Sequence, residues 1–185
     1  MPAALPLLSW LLAATILAFC GVANADQRDP RLPALFDKLK ATEDAEEGDR
    51  IGRRIAHIWN ESGLAGIDDV MEQGQRFMEE GNLKLALGNF TTVTTLEPGF
   101  AEGWNKRAAV LYRMGRFDAA KRSVERTLAL EPRHFLALAG LGVIHMRTGK
   151  LEEALRAFEV ALRINPHLTV TRGVAERLRR QLRDE

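Results

Sequence analysis

Four histidines, three serines, one cysteine and two glycine pairs are the residues here whose types suit catalysis or ligand binding. A histidine metal site needs imidazoles or carboxylates converging at short helical spacing. His57, His134, His145 and His167 show no close pairing of that kind. A nucleophilic serine needs a strained, exposed turn such as Gly-x-Ser-x-Gly and a base within reach, and Ser9, Ser62 and Ser123 have neither. Gly140-Leu141-Gly142 and Gly149-Lys150 are faintly like a phosphate loop. Periodicity puts the first pair inside a helix, however, and Leu151 stands where such a loop needs Ser or Thr. Asn60-Glu61-Ser62 and Asn89-Phe90-Thr91 match a glycosylation sequon, the second on a helix with Phe90 turned inward. No catalytic residue, metal site or cofactor is predicted, and the chain is read as a non-enzyme.

The elements that would position any site are helical. Ala, Leu, Arg and Glu dominate, 46% of the 185 residues are hydrophobic and 28% are charged, which suits a packed helical domain. A net charge of +1 argues against chain-wide attraction to nucleic acid. Residues 1–25 contain no charge, Leu7 to Val22 is apolar, and Ala23-Asn24-Ala25 has the small-x-small form of a cleavage site. The expectation is a signal peptide cleaved after Ala25 and a periplasmic or secreted protein. The alternative is an uncleaved inner-membrane anchor, with membrane association only in that case. Bulky Phe19 before Cys20 argues against a lipoprotein site, and cleavage would leave the mature chain without cysteine.

The strongest signal is periodic. Pro98, Pro132 and Pro166 stand 34 residues apart, as do Gly81, Gly115 and Gly149, and Ala86, Ala120 and Ala154. Phe90, Val124 and Phe158 follow each alanine by four residues; Val70, Trp104 and Leu138, then Gly74, Ala108 and Gly142, then Phe77, Leu111 and His145 come earlier in each unit. A glycine after a helical run stops the first helix in a left-handed conformation, and a proline ends the second. Small residues at Gly74, Ala108 and Gly142 are expected to face Ala86, Ala120 and Ala154, with Phe90, Trp104 and Phe158 filling the spaces between helices.

This pattern resembles the tetratricopeptide repeat. The resemblance implies an all-α protein: a right-handed α-solenoid of three helical hairpins, 67–168, divided as 67–100, 101–134 and 135–168. Two flanking elements complete the expected organisation. Residues 31–63 read as two amphipathic helices lacking the glycine and proline columns, either a degenerate N-terminal cap or a hairpin folded back into the groove. Asn60 to Asp68 is the expected hinge. Residues 169–185 read as a capping helix with Val170, Val174, Leu178 and Leu182 on one face and arginines on the other.

What the resemblance implies for function is a groove lined by the first helix of each hairpin, holding a peptide or partner helix. The residues carried into that groove are Asn105 and Tyr112, to bond a ligand backbone, Lys106, Arg113 and Arg147, to pair with its carboxylates, and Met146, for adaptable apolar contact. The Lys and Asn residues of a two-carboxylate clamp do not recur across successive units, so chaperone-tail binding is not expected. The predicted role is a non-catalytic protein-binding module in the periplasm, with a membrane-anchored assembly factor for an envelope complex as the alternative. The partner is a protein or peptide, not nucleic acid.

Overall fold

The computed structural model describes residues 27–184; the leader, its cleavage site and Cys20 lie outside the described residues. Among those described there are nine helices and no strand: α1 Leu32–Ala41, α2 Ala45–Asn60, α3 Ala65–Glu79, α4 Leu83–Leu96, α5 Ala101–Arg113, α6 Phe117–Leu130, α7 Phe135–Arg147, α8 Leu151–Ile164 and α9 Thr169–Gln181. None of these is long and apolar enough to cross a membrane. Helices α3 to α8 form three successive hairpins, each packed on the next, and α9 packs on α8.

The glycine column works as its backbone requires. Gly81, Gly115 and Gly149 have φ of 78°, 72° and 73°, a region that a Cβ disfavours. Each chain reversal is closed by the next residue's amide: Asn82 donates to Phe77 O, Arg116 to Leu111 O and Lys150 to His145 O, at 2.8, 2.9 and 2.9 Å. These bonds satisfy carbonyls that a helix end otherwise leaves open.

Inside each hairpin the packing differs in one respect from the sequence expectation. Ala86, Ala120 and Ala154 are buried as expected. Gly74 and Gly142, however, seat the phenylalanine column: a Cβ at Gly74 would meet the Phe90 ring at 2.8 Å, and one at Gly142 would run into the Phe158 ring. The middle hairpin has Ala108 and Val124 in those places, so a larger residue on one helix is matched by a smaller one on the other. Trp104 also departs from expectation. It is only half-buried, with its indole N–H donating to Pro98 O at 3.0 Å and the Arg107 guanidinium 5.8 Å from its ring. His145 packs as a core residue; burial lowers its pKa, and the charge of Lys121 acts in the same direction.

The leading hairpin packs against the N-terminal end of α7 and the C-terminal end of α8. Its apolar residues Leu32, Phe36, Leu39, Ile51, Ile55, Ile58 and Trp59 form one core with Phe135, against which Ile164 and Leu168 also pack. It therefore folds back across the array towards the third hairpin rather than stacking on the face of the first. Two glycines let α2 approach closely: Gly48 lies against the His167 ring and Gly52 against Asn165. His167 Nε2–H donates to Leu39 O at 3.2 Å. The stretch read as a hinge is a pinned turn, in which Ser62 N–H donates to Asp68 Oδ1 at 2.8 Å and Gly63 has φ of 72°. At the other end, Ala175 and Leu178 are the buried residues of α9, while Val170 is fully solvent-facing. Arg179 is tied to Glu159 at 2.7 Å.

Candidate functional site

The concave face is built from α3, α5 and α7, with α2 laid across the N-terminal ends of α5 and α7. Where α2 crosses, the floor is a buried polar network. Glu102 and His134 are 2% and 0% exposed, and His134 Nε2 lies 2.9 Å from Glu102 Oε2. His134 Nδ1 accepts from the Ala137 amide at 3.1 Å, capping α7. Asn105 donates to Glu102 at 3.0 Å and Lys106 pairs with it at 3.3 Å. The Trp59 indole stacks on His134 with ring centroids 4.1 Å apart, and Arg133 lies 4.3 Å from the Phe36 ring centre. Burial alone would raise the Glu102 carboxyl. The hydrogen bond and charge of His134, the Lys106 charge and the Asn105 amide outweigh it and hold the group below the usual carboxylate range.

The sign of this shift sets a pH dependence. A carboxyl lowered by folding contributes stability that is complete above about pH 4.3 and is lost as pH falls through the lowered value. Denaturant melts should therefore show the wild type losing more stability than Glu102→Gln between about pH 6 and about pH 3. Equal acid slopes for the two would remove Glu102 from the acid response.

The six residues carried over from the sequence divide into three groups. Asn105 and Lys106 belong largely to the Glu102 network, and Lys106 also lines a recess of about 470 Å³ shared by α2, α3 and α5. Tyr112 and Arg113, with Asn105, line a second recess of about 370 Å³ between α5 and α7, whose other walls include Met78, Ala109, Leu136, Gly140 and Val143. The Arg113 guanidinium donates to Met78 O, closing the end of α3 as well as facing the recess. Met146 and Arg147 are exposed beyond it, near the C-terminal end of α7. Sequence reading had assigned no ligand role to Leu136 and Val143, although the repeat register pointed them inward; they are 41% and 37% exposed, with Met146 at 36%. Nor did it find the Glu102–His134 pair. The available signal was a break in one column, where His134 stands in register with Phe100 and Leu168; Glu102 shares its column with acidic Asp68 and so did not stand out.

Among the described residues no group of three or more His, Cys, Asp or Glu side chains could hold a metal ion. The buried groups Glu102 and His134 are spent on each other and on the cap of α7. The class so defined is a stacked helical-hairpin scaffold with an apolar recess in its concave face.

Comparison with known proteins makes the class specific. A tetratricopeptide repeat profile matches residues 105–168. A TPR repeat-containing protein of Rhizobium etli is 35% identical over 136 residues, 74% of this chain and 67% of that protein. The chain belongs to the tetratricopeptide repeat family. The small glutamine-rich tetratricopeptide repeat-containing protein 2 of Saccharomyces cerevisiae is 29% identical over 100 residues, 54% of this chain but 29% of its own length. Among solved structures, the first TPR of Spaghetti (RPAP3) bound to the HSP90 peptide SRMEEVD has a TM-score of 0.61 at 21% identity, covering 63% of this chain and 92% of that one. The Yersinia enterocolitica type III secretion chaperone SycD, in complex with a peptide of the translocator YopD, has a TM-score of 0.61 at 15% identity, with 66% and 97% covered. At such identities the two structures share the fold.

Proposed function

We propose that this protein is a non-catalytic interaction module that binds a peptide or partner helix in the recess between α5 and α7, acting in the bacterial periplasm after cleavage behind Ala25. The observation carrying the binding role is the groove face of α7. Leu136, Val143 and Met146 are large apolar side chains left exposed there, beside a recess floored by Ala108, Ala109 and Gly140. An apolar anchor side chain of a ligand would fill that recess, with Tyr112 and Asn105 in reach of its backbone and Arg113 and Arg147 at its margin. Tetratricopeptide structures seen with HSP90 and YopD peptides support the same mode of use. The uncharged leader and its small-x-small ending support the exported reading.

The test replaces Leu136 and Val143 together by glutamate and presents both proteins to a displayed random-peptide library. Both positions are exposed, so melting should change by no more than about 0.5 kcal/mol per site. Peptides selected on the wild type should lose at least about tenfold in affinity for the variant, about 1.4 kcal/mol. Peptides that bind both equally would remove the recess from the binding surface. Lys106 is a poor choice for this purpose, because Lys106→Glu would set a second carboxylate against buried Glu102.

A second reading, a membrane-anchored assembly factor for an envelope complex, is favoured by the length of the uncharged apolar run Leu7 to Val22. The intact mass of the isolated protein separates the two: a chain beginning at Asp26 has no tether.

A further inference from the structure

Because the leading hairpin packs elsewhere, no other element among the described residues stacks on the outer side of the first repeat, and α4 differs from the other second helices in what it shows there. In α6 the exposed positions carry Arg122 and Arg126, and α6 and α8 hold five charged residues each. Helix α4 holds only Lys84 in fourteen residues. Leu85 and Leu96 are exposed at 47% and 60%, the latter the second most exposed large hydrophobic side chain among those described.

The polar residues of α4 make this face easier to dehydrate. Asn89 donates to Leu85 O at 3.1 Å, Thr92 to Gly88 O at 3.1 Å and Thr95 to Thr91 O at 2.8 Å. Each bonds the carbonyl one turn back, so covering the face need not leave these donors unpaired. Leu85, Asn89, Thr92 and Leu96 follow one another at steps of four, three and four, the spacing of a short helix-packing seam.

We propose that this seam is a self-association surface on which a second copy of the chain lays its own α4 antiparallel. The pattern reads the same in both directions. A twofold axis between Phe90 and Thr91 sets Leu85 against Leu96 of the other copy and Asn89 against its Thr92, giving large residues at both ends and smaller ones in the centre. No charge lies on the seam, so two identical faces meet without repulsion, as an isologous contact requires. The seam is only about 16 Å long, shorter than a standard interface, and the dimer is correspondingly weak, with Kd on the order of 100 µM. The surface lies on α4, away from the recess between α5 and α7, so the proposal stands or falls separately from peptide binding.

Sedimentation velocity from about 5 µM to about 1 mM should show a reversible monomer–dimer shift for the wild type. Leu85→Glu and Leu96→Glu should each remain monomeric over that range with unaltered circular dichroism. In a Cys20→Ser background, mixing Leu85→Cys with Leu96→Cys should give a disulfide-linked pair. Neither should cross-link with itself, since two copies of one position lie about 16 Å apart across the axis. A wild type that stays monomeric throughout, association that both glutamates leave intact, or self-cross-linking of either single cysteine would overturn the proposal. So would hydrogen exchange showing the exposed face of α4 protected in a monomeric sample.

Discussion

Trp59→Ala should cost about 3–5 kcal/mol, the usual loss for truncating a fully enclosed large aromatic. The cost should fall mainly on the leading hairpin. Trp59 is 1% exposed and holds that hairpin to the array through the His134 stack and through Phe135, 5.0 Å from ring centre to ring centre. The three repeats keep separate clusters around Phe90, Leu111 and Phe158, none of which includes a residue of α1 or α2. An early partial transition should therefore precede the main melt, with protease cleavage appearing first between about residues 42 and 64 while most helicity remains. Trp59→Phe should cost less, since it keeps a ring over His134 and deletes an indole N–H that meets no acceptor among the described residues. A single transition shifted as a whole would show instead that hairpin and repeats unfold as one unit.

The same contacts define what the groove can do. Because α2 lies over the N-terminal ends of α5 and α7, the open part of the groove runs from Ala109 and Leu136 towards Arg113 and Arg147. Lys106 and Asn105 are tied to buried Glu102 as well as lining the two recesses.

How much of this was legible follows from the kind of signal each feature leaves. A column repeated at 34 residues fixes turns, helix ends and core faces, because the same local requirement recurs three times. Hence Gly81, Gly115 and Gly149, the three prolines and the buried alanines were readable. The docking of α1–α2 occurs once. An amphipathic face shows that a helix is covered and leaves the covering surface open, so the hairpin reads as a degenerate cap, with folding back into the groove as the alternative. Gly48 and Gly52 were the overlooked clue: two glycines one turn apart inside a helix each cost about 1 kcal/mol relative to alanine, and close approach of a neighbour is the usual reason to keep them. Trp104 misled in the opposite sense. Its column and size suggested enclosure, yet at this position the indole reaches Pro98 O near the surface.

The phenylalanine and glycine columns carry the second large effect, because they act as one unit. Gly142→Ala should destabilise by about 1–3 kcal/mol, since its methyl would push into the Phe158 ring, which is 1% exposed. Phe158→Val should cost about 2 kcal/mol or more through the space it leaves. Together the two substitutions recreate the pairing of Ala108 with Val124 already present in the middle hairpin. The double variant should then be more stable than the sum of the singles by at least about 1 kcal/mol, a coupling that chemical denaturation of all four proteins measures. Gly140→Ala supplies the internal control. Its Cβ would meet nothing within 4 Å, so the same change two residues away should stabilise the helix by about 0.5–1 kcal/mol. Opposite signs at Gly140 and Gly142 would show that the phenyl ring, and not helix propensity, keeps glycine at Gly142. Additive singles would mean that α7 shifts to make room, and that the columns are independent.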